Sequence, residues 1–180
     1  HVDMTTDTSV DSNNNPTYMY KTTCYKVHGL AQSLNISKSI CESANKGIDL
    51  YCETSAGNNG EACPSFARLY DAEFEDCTTC LNLSDPQDFE ACGGYYLGRG
   101  KGSAHVINIY STNYGGNWSK TALGSYAQAA RFHGGRYGNS GSSVMYIGIS
   151  QVTVHDGQFF SLGLYNDGSG APNIEVSAVG

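Results

Sequence analysis

The sequence predicts an α+β protein in which a disulfide-rich, mixed α/β N-terminal domain precedes a small all-β sandwich or barrel. Three observations point there. All seven cysteines lie between Cys24 and Cys92, and the 88 residues after Cys92 contain none. Residues 1–98 hold fourteen Asp and Glu against five Lys and Arg, whereas residues 99–180 hold three against five. Glycine rises from seven in the first segment to fifteen in the second. A chain of 180 residues admits two small units. The first of them would gain from cross-links worth typically about 2–4 kcal/mol each.

Taken in order, residues 1–20 are polar and aperiodic, with the run Asp11-Ser12-Asn13-Asn14-Asn15-Pro16, and read as a mobile arm. Residues 21–98 form the expected cysteine-rich domain. Within it, Thr17 to Val27 carries aromatic and β-branched residues suited to a strand, while Leu30, Leu34, Ile40, Cys41 and Ala44 suggest a helix that Ile36 interrupts. The clearest helical pattern follows Cys63: Pro64 suits a first helical position, and Phe66, Leu69, Tyr70, Phe74, Cys77, Cys80 and Leu81 recur at helical spacing. Asp71, Glu73, Glu75 and Asp76 then fall on a solvated face. Residues 99–103, centred on Arg99-Gly100-Lys101-Gly102, read as a linker, and residues 104–180 as the β-domain. Strands are expected near 105–110, 125–132, 143–154, 158–164 and 174–179, where Val, Ile, Tyr and Phe alternate with Gly and Asn breaks. Asp156-Gly157 between Val152-Thr153-Val154-His155 and Gln158-Phe159-Phe160 predicts a two-residue hairpin turn.

Seven cysteines, Cys24, Cys41, Cys52, Cys63, Cys77, Cys80 and Cys92, imply three bridges and one thiol left over, and with them an oxidising, extracellular compartment. Cys77-Thr78-Thr79-Cys80 lacks the strand context of a redox motif and the second pair of a zinc site, so both cysteines are expected to bridge to other partners. No stretch is apolar enough to cross a membrane, no signal peptide is present, and a net charge of −7 disfavours nucleic acid. His1 is therefore expected to be a processed chain start.

Neither a G-x-S-x-G elbow, a Walker loop nor H-E-x-x-H occurs, and no cofactor is expected. Exposed aromatics beside polar groups mark a candidate contact surface in the Gly-rich stretches around Trp118 and around His133, Arg136, Tyr137 and Asn139, suited to a protein or a glycan. Asn35, Asn82 and Asn117 begin glycosylation triplets. A terminal His1 resembles the copper brace of lytic polysaccharide monooxygenases, a likeness confined to one residue.

The layout of a polar start, cysteines from Cys24 to Cys92, a boundary near Gly100 and a cysteine-free β half resembles the secreted dual-domain effectors of plant-pathogenic fungi. The resemblance implies a non-enzymatic, toxin-like virulence factor that binds host molecules and is perceived by plant immune receptors. A carbohydrate-binding, lectin-like module and a copper oxidase acting at His1 are the alternatives.

Overall fold

A computed structural model describes residues 23–29, 31–54, 61–62, 64–99, 105–110, 129–140, 143–149, 151–160 and 174–176. Every regular element among them is a strand. The chain winds in successive coils, each adding one strand to each of three parallel sheets. The first coil supplies β1 (Thr23–His28), β2 (Asn35–Ser37) and β3 (Ile40–Glu42). The second supplies β4 (Lys46–Tyr51), then the antiparallel pair β5 (Glu53–Thr54) and β6 (Glu61–Ala62), then β7 (Arg68–Tyr70) and β8 (Glu73–Cys77). The third is β9 (Thr79–Ser84), β10 (Phe89–Cys92) and β11 (Tyr95–Gly98); the fourth is β12 (Ile107–Tyr110), β13 (Ala130–His133) and β14 (Arg136–Gly138). The fifth is β15 (Met145–Gly148), β16 (Val152–His155) and β17 (Gln158–Phe160), and β18 (Ile174–Val176) begins a sixth. The first sheet thus runs β1-β4-β9-β12-β15-β18, the second β2-β7-β10-β13-β16, and the third β3-β8-β11-β14-β17. This is a parallel β-helix.

Because strands in adjacent coils pair in register, equivalent side chains stack about 4.8 Å apart, and each inward column becomes a file of like residues. In the second sheet the file is Ile36, Leu69, Ala91, Phe132 and Val154. In the first, Ile48, Leu81, Ile107 and Met145 form one file and Leu50, Leu83, Ile109 and Ile147 another. The third sheet is aromatic: Cys41 is followed by Phe74, Tyr96, Tyr137 and Phe159. Tyr96 and Tyr137 stack at 5.2 Å and 12°, Tyr137 and Phe159 at 5.2 Å and 29°, and Phe74 meets Tyr96 edge-on at 5.9 Å. These are the separations at which ring pairs attract beyond their buried area. Gly47 leaves the space that the first ring needs, since a Cβ there would lie 2.9 Å from Phe74 Cγ and 2.6 Å from the Cys80 carbonyl oxygen. On the outer face of the first sheet, Asn108 donates to Asn82 Oδ1 at 3.0 Å and Asn82 to Asp49 Oδ1 at 2.7 Å, a polar ladder across three coils.

The expected α+β class is therefore corrected to all-β, and the sandwich or barrel to a parallel β-helix. The helix expected after Cys63 is β7, β8 and β9. Its helical spacing arises because a corner at Asp71 separates β7 from β8 and β8 is itself irregular at Asp76, the two taking φ of 49° and 50°, which throws inward positions three to five residues apart. The helix expected from Leu30 to Ala44 is β2 and β3, and Ile36, which broke the stripe, points into the core. The expected hairpin at Asp156-Gly157 is a corner between two sheets: β16 pairs with β13 and β17 with β14. A two-residue hairpin of the favoured type needs positive φ at both turn residues, and among the two only Asp156 has it, at 55°. Strands on either side of residues 99–103 pair with one another, β9 with β12, β10 with β13 and β11 with β14, so all three sheets run through the expected domain boundary. The arm at 1–20 lies outside the described residues.

Truncating a ring in the aromatic file opens a cavity that neighbours locked in register cannot fill. Phe74→Ala is expected to cost about 3–5 kcal/mol in urea unfolding of the disulfide-intact protein. Ile40→Ala, at a position 65% exposed on the outer side of the same sheet, should stay within about 0.5 kcal/mol of the parent. Equal losses for the two variants would contradict the inward placement of Phe74.

Candidate functional site

The passage from the second sheet to the third is made by the same two-residue corner in every coil. Its first residue is left-handed: Lys38, Asp71, Gly93, Gly134 and Asp156 have φ of 50°, 49°, 68°, 65° and 55°. Glycine and aspartate adopt this conformation most easily, which is why the corners read Asp-Ala, Gly-Gly, Gly-Gly and Asp-Gly. The second corner residue is small, Ser39, Ala72, Gly94, Gly135 or Gly157. At Gly94 any Cβ would collide with the Ala72 carbonyl of the coil before, so bare backbone stacks on bare backbone.

Stacked small corners leave a trough along the helix axis. It has a volume of about 520 Å³ and is lined by Asp71, Ala72, Gly94, Gly134, Gly135 and Asp156 from the corners and by Glu73, Tyr95, Arg136 and Gln158 from the third sheet. Those four side chains alternate with the inward-facing Phe74, Tyr96, Tyr137 and Phe159 file and therefore face outward. Four coils contribute, so Asp71 and Asp156 stand roughly 14 Å apart along the axis. The Arg136 guanidinium carbon lies 5.1 Å from the centroid of the Tyr95 ring, Nη1 donates to the Tyr95 hydroxyl, and Nε donates to Gln158 Oε1 at 3.1 Å. Three consecutive coils thus hold the guanidinium in a fixed plane with donors to spare. Burial, with Glu73 and Glu42 beside it, raises the carboxyl pKa of Glu75.

Of the residues expected to form a contact surface, Arg136 lies in this trough. Tyr137 does not: it is fully buried between Tyr96 and Phe159, its hydroxyl donates to the Gly134 carbonyl at 2.7 Å, and burial pushes its pKa up. Alternation along β14 sends it inward as surely as it sends Arg136 outward. Asn139 is structural, donating to the Gly98 carbonyl of the coil before at 2.6 Å. His133 stands on the outer side of the second sheet, its Nε2 3.3 Å from Glu90 and its ring 5.5 Å from that of His155. Trp118 lies outside the described residues. Asp71, Tyr95, Asp156 and Gln158 escaped sequence reasoning; the signal that carries them is the repeat of corners 22 residues apart at Asp71/Gly93 and Gly134/Asp156.

Cys24 and Cys41 form a disulfide, and Cys52 is also disulfide-bonded. Cys77, Cys80 and Cys92 are free thiols, and Cys63 lies outside the described residues. Asn35 is exposed in β2, whereas Asn82 is buried and bonded to Asp49 and Tyr110, which leaves no room for a glycan on its nitrogen. Asn117 and the copper candidate His1 lie outside the described residues. Among the described residues, no three His, Cys, Asp or Glu side chains are grouped to hold a metal ion.

No protein family, curated protein or solved structure compared with the chain matches it. Its chemistry must be argued from the geometry.

The outer face of the second sheet carries a charge network. Arg68 pairs with Asp88 and Glu90, each at 2.8 Å, and Arg131 pairs with Asp88 from the next coil. Desolvation tends to raise the Asp88 pKa, but hydrogen bonds from Arg68 and Arg131 outweigh it and leave the carboxyl below its ordinary value. A depressed folded-state pKa stabilises the fold above the unfolded value near 4 and loses that contribution as pH falls through the folded value. Asp88→Asn should therefore cost about 0.5–1 kcal/mol at pH 7, with the gap closing below about pH 4 in urea melts run across pH. A gap that does not change with pH would contradict the network.

Proposed function

We propose that the protein is a secreted binding protein that holds an extended glycan chain in the trough along its second-to-third-sheet corner. The observation that carries this reading is the trough itself. It repeats with the coil, about 4.8 Å per step, close to the advance of an extended β-linked sugar chain, so that successive residues of a polymer meet successive corners. Tyr95 offers a ring for the apolar face of a pyranose, Arg136 and Gln158 offer donors, and Asp71, Glu73 and Asp156 offer acceptors for hydroxyls. Bare corners at Gly94 and Gly135 let a bulky chain approach the backbone. The Cys24–Cys41 bridge supports an oxidising compartment, and so a target outside the cell.

The end carboxylates Asp71 and Asp156 lie three coils apart, roughly 14 Å, beyond the about 5–9.5 Å of a glycosidase pair, and the neighbouring Asp71 and Glu73 are read here as hydroxyl acceptors. The glycan partner suggested by sequence is kept, and the contact surface moves from the Tyr137 loop to the corners.

Affinity electrophoresis and calorimetry against soluble β-glucan, xylan, galactomannan and polygalacturonate test the reading. Retention by at least one is expected, with Tyr95→Ala and Arg136→Ala each weakening it about tenfold, equivalent to about 1.4 kcal/mol. Thr153→Ala, on the outer side of the second sheet, should bind as the parent does. Binding to none of the four, or binding indifferent to both trough substitutions, would refute the assignment.

A further inference from the structure

Cys77 and Cys80 face each other across the corner where β8 of the third sheet passes to β9 of the first. Both are fully buried, and their sulfurs share a hydrogen bond. Each thiol also lies 3.4 Å from a carbonyl of β8, Cys77 at Glu75 and Cys80 at Phe74, so both are turned to the same small volume. The Cys24–Cys41 bridge spans the same pair of sheets on the N-terminal side: Cys41 pairs with Phe74 in the next coil, and Cys24 lies in the column that continues through Gly47 to Cys80. One corner of the helix therefore holds a closed bridge and, one coil further on, an adjacent dithiol.

We propose that Cys77 and Cys80 are the two halves of a further disulfide, closed by exchange with a carrier disulfide of the glutathione or enzyme-dithiol class in the secretory compartment. The Cys77 thiolate attacks one sulfur of the carrier, releasing a carrier thiol and leaving a mixed disulfide. The Cys80 thiolate then displaces the second carrier thiol, so two cysteine thiols are oxidised, one carrier disulfide is reduced, and the two protons leave with the carrier thiols. Because both sulfurs are covered once β3 and β4 have stacked, closure belongs to folding, before the N-terminal coils dock. The odd cysteine is then Cys92, whose side chain stands half-exposed on the outer face of the second sheet between Tyr70 and His133.

The test uses the full chain secreted from an oxidising host, denatured without reduction in iodoacetamide and cleaved with trypsin. No Lys or Arg lies between Arg68 and Arg99, so Cys77, Cys80 and Cys92 fall in one peptide, residues 69–99. That peptide is expected to carry a single label, on Cys92, and to be two hydrogen atoms lighter than its dithiol form. Cys92→Ser should abolish the label, and Cys77→Ser should move a second label onto Cys80. Three labels on peptide 69–99, or its recovery cross-linked to the peptide containing Cys63, would overturn the proposal.

Discussion

The file of Phe74, Tyr96, Tyr137 and Phe159 is the constraint on which the rest of the structure depends. Parallel pairing in register makes each coil repeat the last, and a ring at one level demands a ring, or something equally large, at the next. The rings stack at 5.2–5.9 Å through the third sheet, where they fill the interior that the smaller Ala91 leaves beside them in the second. A coil out of register by one residue would bury Arg136 and expose Tyr137. Register is therefore fixed by burial on a scale that no surface contact among the described residues approaches.

From that register the trough follows without further design. Rings inward mean Glu73, Tyr95, Arg136 and Gln158 outward, and the two-residue corner ahead of them must be tight enough to return the chain to the next sheet. Tightness favours aspartate or glycine first, as at every corner but that of Lys38, and a small residue second, and stacking four such corners opens a channel. The site is thus a by-product of the cheapest way to turn between two stacked sheets, decorated with side chains that the core does not need. In the second coil the extra pair β5 and β6 falls between the first and second sheets, away from the second-to-third corner that forms the trough.

Much of the strand content was legible in the sequence, and the way the strands pair was not. The segments expected near 105–110, 125–132, 143–154, 158–164 and 174–179 overlap β12, β13 and β15 to β18, because Val, Ile and aromatic residues between glycines mark strands in any sheet, whereas β14 lies in the Gly-rich stretch around Arg136 and Tyr137 that reads as a loop. Pairing to neighbours 22 to 41 residues away leaves no local trace, so Val152 to Phe160 read as a hairpin and Phe66 to Leu81 as a helix. The trace that does exist is a repeat. Ala67-Arg68-Leu69-Tyr70-Asp71-Ala72-Glu73-Phe74, Phe89-Glu90-Ala91-Cys92-Gly93-Gly94-Tyr95-Tyr96, Ala130-Arg131-Phe132-His133-Gly134-Gly135-Arg136-Tyr137 and Val152-Thr153-Val154-His155-Asp156-Gly157-Gln158-Phe159 share one pattern of core, surface and corner. Insertions stretch its period from 22 to 41 residues between the second and third copies, which conceals it from a search at fixed spacing. Contrasts in charge and cysteine between the two halves, read as a domain boundary, mark different surfaces of one stack. Arg136 is legible because it sits beside a glycine pair; Tyr95 and Asp156 are not, because their company in the trough is 22 to 41 residues away.

Ring-to-ring nuclear Overhauser contacts, measured on protein selectively labelled at Phe and Tyr, test the stack most directly. The account predicts contacts from Phe74 to Tyr96, from Tyr96 to Tyr137 and from Tyr137 to Phe159, with none between the backbones of residues 152–155 and 158–160 of the kind an antiparallel hairpin makes. Hairpin contacts between those two segments, with the ring file absent, would contradict it.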